Sequence, residues 1–341
     1  MHVHNAAAMC SDYFYNTAVM IYFFLLFLSM FLFTFHFVTF FVSFYFYPFL
    51  LNITFKAYPV RIIFMTSSCS CLNLSDFSDF DPVSAEKKII RFIRKSVKNA
   101  GVSGLILGLS GGIDSALAAA LASKALGAEK VHPVFFYESS LENASSFDSD
   151  DLRDASALCD RFSLSLQKIN LQPAFVSASS SFSSVSSESA GIAGNLKSRM
   201  RMSLLYYYAN SNNLLVLGTK NKTERLIGYF TKYGDGGVDI DPLSHLYKTE
   251  VRLLSKHVGI PESILTKTPS AGFWDGQSDE ADLGMKYEQL DALLNFIESD
   301  FDQKKLSRFL KENKLTSEQY ESICFKMNAA KHKQKMPKCL K

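Results

Sequence analysis

The chain has 341 residues, which is enough for one large or two modest domains. Its 36 lysines and arginines barely exceed its 33 aspartates and glutamates, which argues against a nucleic-acid partner and leaves an anionic small molecule compatible, because nucleic-acid binders usually carry a strongly basic face. The six cysteines are scattered along the chain, which favours reduced thiols over a disulfide framework or a zinc site.

The N-terminal part differs in composition from the rest. Between Tyr13 and Phe55 there is no Asp, Glu, Lys or Arg, and this run is longer than the roughly 20 apolar residues that span a bilayer. If it inserts, Lys56 and Arg61 on its C-terminal side would keep the rest in the cytosol by the positive-inside rule. We favour the alternative that the segment is not part of the working protein and that Met65 is the true start, since a signal peptide would have a basic beginning and a cleavage site.

Three parts are therefore expected: an apolar extension over 1–64, a linker over 65–80 and a globular domain over 81–338. The domain opens with an amphipathic helix, because Asp81 is an N-cap residue that is followed by proline, and Ile89 and Ile93 recur on one face before Gly101. In either interpretation of the extension, the domain is expected in the cytoplasm.

Strands and helices alternate after this first helix. The sequence predicts strands over 105–109, 131–137, 165–169 and 214–218, and helices over 115–126, 148–162 and 193–210. This order is typical of an α/β fold, a doubly wound, mostly parallel sheet flanked by helices. Ligands bind beyond the carboxyl ends of such strands, so a site is expected where the turns after Leu109, Tyr137 and Gly218 meet. The serine-rich stretch 177–189 is predicted to be a loop.

A glycine-containing turn joins the first strand to the next helix. It consists of Gly108, Leu109, Ser110, Gly111, Gly112, Ile113, Asp114 and Ser115. Adjacent glycines let the backbone approach a phosphate, the hydroxyls donate hydrogen bonds, and the helix N-terminus adds partial positive charge. The turn is not a Walker A loop, because no Lys-Ser/Thr pair closes it. An anion site is therefore predicted, with a purely structural turn as the alternative.

The turn resembles the S-G-G-x-D-S loop of the ATP pyrophosphatases, enzymes that cleave ATP between its α- and β-phosphates. The resemblance implies a Rossmann-like ATP pyrophosphatase fold and a loop that grips the leaving pyrophosphate. It also implies that Asp114 helps to hold Mg²⁺, a role that suits a hard carboxylate. GMP synthetase, asparagine synthetase, argininosuccinate synthetase and tRNA-modifying thiolases share this loop, so other residues must choose the substrate.

Three further blocks make that choice. They are residues 194–202 (GNLKSRMRM), 217–224 (LGTKNKTE) and 228–239 (GYFTKYGDGGVD). Together they resemble the ammonia-dependent NAD synthetases, and the resemblance extends over nearly all of 81–338. One stretch departs from that pattern, because 137–143 lacks the proline-containing turn that is usual after the second strand.

The resemblance implies roles for individual residues. ATP would be bound by the loop 108–115 together with Thr219, Lys248 and Ser270, with Asp114 and Lys248 as the catalytic residues. Magnesium would be held by Asp114 and Glu224, and deamido-NAD would be bound by Arg199, Lys232, Asp239, His332 and Lys333. Considered without the family, Glu224 is a favourable charge in a first helical turn, Arg201 a surface ion-pair partner, and His332 and Lys333 parts of a solvated basic tail.

The implied reaction is the ATP-dependent amidation of deamido-NAD to NAD by ammonia, through an acyl-adenylate, with release of pyrophosphate and AMP. The implied partners are ATP, deamido-NAD, ammonia and Mg²⁺, with a homodimer whose interface helps to build the deamido-NAD pocket. The acidic stretch 276–284 is expected to close over the site. Two rival interpretations are another ATP pyrophosphatase and a membrane-tethered nucleotide-binding protein without catalysis, the latter disfavoured because both metal carboxylates are present.

Overall fold

The computed structural model describes residues 77, 79–140, 148–181, 190–269, 278–299, 302–337 and 339. All described residues belong to one compact unit, Ser70–Lys341. The uncharged run between Tyr13 and Phe55 lies outside the described residues, and the predicted boundaries after 64 and 80 stay predictions. Within the described residues, no helix is both long and apolar enough to cross a membrane.

Four strands form one parallel sheet in the order β3-β2-β1-β4. The strands are β1 (Gly104–Gly108), β2 (Val131–Tyr137), β3 (Gln167–Asn170) and β4 (Leu214–Val216). The helices up to β4 are α1 (Pro82–Ala100), α2 (Ile113–Leu126), α3 (Asp150–Phe162), α4 (Gln172–Ser180) and α5 (Ala190–Asn212). After β4 come α6 (Lys222–Ile227), α7 (Lys248–Val258), α8 (Glu262–Leu265), α9 (Asp279–Leu283), α10 (Tyr287–Glu298), α11 (Gln303–Glu312) and α12 (Ser317–Ala330).

Helix α1 begins and ends where the sequence predicts. Oδ1 of Asp81 accepts a hydrogen bond from the backbone N–H of Val83 at 3.0 Å, which satisfies a donor that has no partner inside the helix. Gly101 ends the helix with φ of 66°, a left-handed conformation that suits glycine. Strand β2 also has the predicted bounds, whereas the other elements differ from prediction by a few residues at their ends.

Helices cover both faces of the sheet. On one face, α2 packs against α1, α7 and the sheet, and its many alanines are buried on all sides, because small side chains let the neighbouring backbones approach closely. On the other face, Leu205 and Ala209 of α5 pack on Ile106 and Val216 of the sheet. The predicted doubly wound α/β fold class is confirmed.

A separate hydrophobic cluster holds the C-terminal helices together. It contains Leu226 from α6, Tyr287 and Leu290 from α10, Phe309 from α11 and Ile323 from α12. This cluster places α10 beside α6 and α7, and so brings residues distant in sequence to the edge of the sheet that carries the glycine-containing turn 108–115, named here the phosphate loop.

The serine-rich stretch is not wholly a loop. The prediction over 177–189 is wrong for its first residues, because α4 continues to Ser180. The hydroxyls of Ser180 and Ser181 each donate to the carbonyl oxygen of Ser177 at 3.1 Å, so these side chains bond back to the preceding turn of the helix. Residues 182–189 lie outside the described residues.

Candidate active site

The phosphate loop follows β1 and leads into α2. Oγ of Ser115 accepts from the backbone N–H of Ser110 at 3.1 Å and donates to the carbonyl of Gly112 at 3.0 Å, so the serines brace the turn from within. Gly111 has φ of 78°, and a Cβ atom there would lie 2.5 Å from the carbonyl oxygen of Asp151. Among the described residues no side chain caps α2. Its first N–H groups and its dipole are therefore available to an anion.

Asp114, Glu224 and Lys248 form an acid–lysine cluster beside this loop. Nζ of Lys248 lies 2.5 Å from Oδ2 of Asp114 and 3.5 Å from Oε1 of Glu224. Each residue stands in the first turn of a different helix, namely α2, α6 and α7. The sequence predicted that Asp114 and Glu224 face each other, and the fold brings them to one cation.

Asn221 fixes two members of this cluster. Its Nδ2 atom donates to Oδ1 of Asp114 at 2.9 Å, and its Oδ1 atom accepts from the backbone N–H of Glu224 at 2.9 Å. Glu224 in return accepts from the backbone N–H of Asn221 at 3.3 Å, which completes a capping box. Glu224 is thus a helix-capping residue whose other carboxylate oxygen faces Lys248.

The cluster has more negative charge than one lysine offsets. Burial, and then the nearby Asp114 carboxylate, raises the pKa of Glu224 to about 8 although Lys248 opposes the shift. Burial alone would lower the pKa of Lys248, but Asp114 and Glu224 outweigh it and hold that pKa above its ordinary value. A further cation would be stabilised at this position.

Tyr287 and Asp279 support the cluster from α10 and α9. Nζ of Lys248 lies 5.0 Å from the centroid of the Tyr287 ring, a distance at which a cation interacts favourably with an aromatic face. The Tyr287 hydroxyl donates to Oδ2 of Asp279 at 2.9 Å, and both side chains are buried. The fully buried ring and its hydrogen bond therefore restrict the space open to the lysine side chain.

The second part of the site is the glycine-rich loop, residues 228–240. Helix α5 helps to hold it: the Thr231 hydroxyl donates to Oδ1 of Asn195 at 2.8 Å, and the Ser198 hydroxyl donates to Oδ1 of Asp235 at 2.9 Å. A Cβ atom at Gly234 would lie 2.3 Å from Oγ of Ser198, so the loop approaches α5 too closely for a larger residue there.

Several residues predicted to bind deamido-NAD converge on this loop. Nε of Arg199 donates to the carbonyl oxygen of Lys232 at 3.3 Å. Nζ of Lys333, beyond α12, donates to the carbonyl oxygens of Gly228 and Phe230 at 2.7 and 2.8 Å. Burial lowers the pKa of Lys333, and Asp235 opposes that shift. The cationic residues Arg199, Lys232 and Lys333 therefore belong to this loop or bond to it, and the loop lies beside β4.

The other predicted binding residues are less closely grouped. Asp239 accepts from the Tyr206 hydroxyl at 3.0 Å and from the backbone N–H of Val216 at 2.8 Å, so its carboxylate also fastens the loop to β4. Thr219 is half-buried just beyond β4, and His332 is exposed beside Lys333. Ser270 lies outside the described residues, and so do the first two positions of the predicted acidic stretch 276–284, of which 279–283 form helix α9.

Comparison with known proteins decides the family. Residues 85–337 match the model of the family described as NAD synthase. The NH₃-dependent NAD⁺ synthetase of Methanosarcina acetivorans is 45% identical over 253 residues, which are 74% of this chain and 96% of that protein. This chain belongs to the NAD synthase family. The predicted family and the predicted class of enzyme, a ligase, are confirmed.

Two solved structures extend the likeness to the fold of the NAD synthase family. NMN synthetase from Francisella tularensis is 34% identical with a TM-score of 0.65, over 77% of this chain and 99% of that chain. NH₃-dependent NAD synthetase from Campylobacter jejuni, solved with a nitrate ion, is 30% identical with a TM-score of 0.63, over 77% of this chain and 100% of that chain.

The departure from the NAD synthase pattern after β2 contains an ion-pair network. Oε2 of Glu138 lies 2.6 Å from Nζ of Lys197, and Oε1 lies 3.6 Å from Nη2 of Arg201. Burial lowers the pKa of Arg201, whereas Glu138 and Asp235 raise it. The interpretation of Arg201 as an ion-pair partner is confirmed, and its partner comes from the unusual turn itself. Residues 141–147 of that turn lie outside the described residues.

Sequence reasoning missed three residues of the site: Asn221, Asp279 and Tyr287. Asn221 could have been found, because an N-cap residue followed by glutamate three positions later is the pattern of a capping box. Asp279 lies in the acidic stretch 276–284, but nothing in the sequence assigned it or Tyr287 a role at Lys248, because that role depends on the packing of α10 against α7 and on the hydrogen bond from Tyr287 to Asp279.

Proposed function

We propose that this protein amidates deamido-NAD to NAD with ATP and ammonia, the last step of NAD biosynthesis. The observation that carries the proposal is the acid–lysine cluster at the uncapped start of α2, adjacent in the fold to a glycine-rich loop that is braced by α5 and by Lys333. The names of the relatives, which are matched over nearly their whole length, support the same reaction.

In the first step, a carboxylate oxygen of the nicotinate attacks the α-phosphorus of ATP, and the bond from that phosphorus to the bridging oxygen breaks. The pyrophosphate leaves toward the N–H groups of α2, which can hydrogen-bond its charge. Lys248 would offset the negative charge that develops on the transferring phosphate, an electrostatic contribution that needs no covalent enzyme intermediate.

In the second step, ammonia attacks the acyl carbon of the adenylate, and the bond from that carbon to the AMP oxygen breaks. The nitrogen loses one proton as the amide forms, and AMP takes away the electron pair of the broken bond. Within the described part of the site, the glycine-rich loop would hold the nicotinate end through Arg199, Lys232 and Lys333, whose positive charges suit an anionic dinucleotide.

Magnesium fits the residues at this site. The described residues contain no cluster of three or more His, Cys, Asp or Glu side chains that could hold a metal ion by themselves. Asp114 and Glu224 provide two carboxylates, and Mg²⁺ is commonly bound by one or two carboxylates together with substrate phosphates and water. When bound, the ion would offset charge on the phosphates of ATP. Burial is the main cause of the raised pKa of Glu224 and the Asp114 carboxylate adds to it, so a cation bound to both carboxylates would oppose the shift.

A homodimer and a cytoplasmic location belong to the same proposal. Ile192 and Tyr207, on the helix that carries Arg199, are 54% and 74% exposed, and exposed apolar residues near a binding site suit a subunit interface. Light scattering should give a mass of two chains for the wild type and a mass of one chain for Tyr207→Lys. A monomeric wild-type protein, or the enzyme in a membrane fraction after cell disruption, would contradict these points.

A second candidate substrate is the mononucleotide. The likeness to NMN synthetase of Francisella tularensis supports amidation of nicotinate mononucleotide by the same two steps. The two candidates differ only in the adenylate half of the substrate, so the ratio of their kcat/KM values decides between them.

The experiment uses the protein with ATP, Mg²⁺, ammonium and either deamido-NAD or nicotinate mononucleotide. We expect NAD and AMP in equal amounts from deamido-NAD, and loss of both products in Asp114→Asn. AMP formation without an amide product, or products unaffected by Asp114→Asn, would overturn the proposed reaction. A higher kcat/KM for the mononucleotide would move the assignment to the second candidate.

A further inference from the structure

Lys220 connects the two halves of the site. Its backbone lies between Thr219 and Asn221, and Asn221 hydrogen-bonds Asp114 on the ATP side. Its side chain runs to the glycine-rich loop instead, where Nζ lies 3.3 Å from the carbonyl oxygen of Asp235, and it also lies 2.7 Å from Oδ2 of Asp241, the residue that follows the loop. Lys220 thus connects the segment whose Asn221 bonds to the phosphate loop with the glycine-rich loop, which would bind the dinucleotide.

The ion pair between Lys220 and Asp241 is largely buried. The two side chains are 9% and 20% exposed, and Nζ also lies 5.5 Å from the centroid of the Phe230 ring. Oδ1 of Asp241 is buried and accepts no hydrogen bond from the described residues, and a Cβ atom at Gly218 would lie 2.8 Å from it. Burial raises the pKa of Asp241, although Lys220 opposes the shift.

A buried ion pair with an unsatisfied oxygen is a weak source of stability, because removing two charges from water offsets most of their attraction. The arrangement does fix geometry. The glycine-rich loop is held by α5 at Thr231 and Asp235 and by Lys333 at its beginning, whereas the bond from Lys220 to the Asp235 carbonyl ties the same turn to the end of β4.

We propose that Lys220 is a positioning residue that sets the distance between the ATP half and the deamido-NAD half of the site, with Asp241 orienting its ammonium group. The inference rests on the proposed function. Its physical basis is that attack on the α-phosphorus needs the carboxylate oxygen in line and within about 3.5 Å, and a shift of about 1 Å can reduce the rate about 100-fold.

The test compares Lys220→Met with the double variant Lys220→Met/Asp241→Asn. The single variant leaves a buried carboxylate without its cation, so its midpoint of urea unfolding should fall; the double variant removes both charges, and its midpoint should return close to that of the wild type. Lys222→Met is the matched control, since Lys222 lies two positions on and pairs with Glu298 at 2.6 Å, away from the glycine-rich loop.

For the double variant we expect kcat/KM for deamido-NAD to fall about tenfold or more while KM for ATP changes less than about twofold. Lys222→Met should keep both values. If the double variant regains both its stability and its wild-type kcat/KM, Lys220 is only structural and the inference is wrong. A rise in KM for ATP as large as the fall in kcat/KM for deamido-NAD would also overturn the inference. A wild-type protein that makes no NAD would instead refute the proposed function, so the two failures are distinguishable.

Discussion

Nζ of Lys248 lies 2.5 Å from Oδ2 of Asp114, and 134 residues separate the two in the chain. The contact joins the first turn of α7 to the first turn of α2. Both side chains therefore stand at the edge of the sheet where an anion would meet the start of α2. The positive N-terminal end of α2 and the ammonium group of Lys248 can therefore act on the same phosphate group.

Replacement of Lys248 by methionine should remove most of the adenylation activity. The variant keeps the length of the side chain but lacks the cation that offsets charge on the transferring phosphate, so kcat should fall about 100-fold or more. Pyrophosphate release in single-turnover experiments measures this step. Lys256→Met, an exposed position on the same helix, should retain full activity. Similar rates for both variants would exclude the role given to Lys248.

Tyr287→Phe should weaken the support of Lys248 without removing the ring. The variant deletes the hydroxyl that donates to Asp279 at 2.9 Å and leaves a buried carboxylate with one donor fewer, so the free energy of unfolding should fall by about 1–2 kcal/mol. A severalfold decrease in kcat should accompany it, because the ring over Lys248 is less firmly held. Denaturant unfolding and steady-state kinetics measure the two effects. Unchanged stability would show that the hydroxyl makes no net contribution.

Gly111→Ala should disrupt the phosphate loop through a steric clash as well as through backbone strain. At φ of 78° a Cβ atom would approach the carbonyl oxygen of Asp151 to 2.5 Å. Gly101→Ala is the matched control, because Gly101 has φ of 66° and nothing within 4 Å of its Cβ position. Both variants should lose about 1–2 kcal/mol of unfolding free energy from the left-handed conformation, but KM for ATP should rise, about tenfold, only in Gly111→Ala. Equal KM values would contradict the predicted clash.

The ion pair between Asp154 and Lys267 should contribute stability that acid removes. Nζ of Lys267 lies 2.7 Å from Oδ2 of Asp154. Burial would raise the pKa of Asp154, but hydrogen bonds from Lys267 and Ser263 outweigh it and lower that pKa below 3.8. A carboxyl whose pKa falls on folding stabilises the protein above its unfolded pKa, and this contribution disappears as the pH drops through the folded pKa.

Asp154→Asn should therefore lower the free energy of unfolding by about 1 kcal/mol at pH 7, and the difference from the wild type should shrink as the pH falls below 3.8. Urea unfolding over a series of pH values measures it. Arg308→Met serves as the control, because the Arg308–Glu312 pair is on an exposed face. A difference that is constant with pH would mean that the asparagine disturbs packing instead of charge.

Deletion of residues 1–64 should leave catalysis intact. The family match begins at residue 85 and ends at residue 337, so the residues assigned to ATP and to the dinucleotide all follow the deletion. A chain that starts at Met65 should keep kcat/KM for ATP within about twofold of the full chain. A large loss in a protein that remains folded would show that the apolar segment contributes to the site.

Local signals in the sequence were enough for the elements that carry one side of the site. The N-cap at Asp81, the bounds of β2 and the turn with Gly111 each depend on residues close together in the chain. Asp114 and Glu224 could be assigned to neighbouring strand ends because a parallel sheet gathers those ends at one edge. Their meeting at Lys248 followed from the family resemblance and the fold together.

The remaining features depend on tertiary packing that no local pattern encodes. Tyr287 enters the site because α10 packs against α6 and α7, and the ion pair of Lys220 with Asp241 depends on the path of the glycine-rich loop. The helix that continues to Ser180 contradicts the loop predicted from the serine-rich composition, because serine hydroxyls can bond to their own helix as well as to water. Such side-chain choices appear only once the neighbouring elements are placed.

The acyl-adenylate is the central claim, and oxygen labelling tests it most directly. Deamido-NAD with ¹⁸O in both oxygens of the nicotinate carboxylate is incubated with the enzyme, ATP, Mg²⁺ and ammonium, and the masses of the products are measured by mass spectrometry. If the carboxylate attacks the α-phosphorus, AMP carries one labelled oxygen and pyrophosphate carries none. Unlabelled AMP, or label in pyrophosphate or phosphate, would mean that the carboxylate is not activated as an adenylate and would contradict the mechanism.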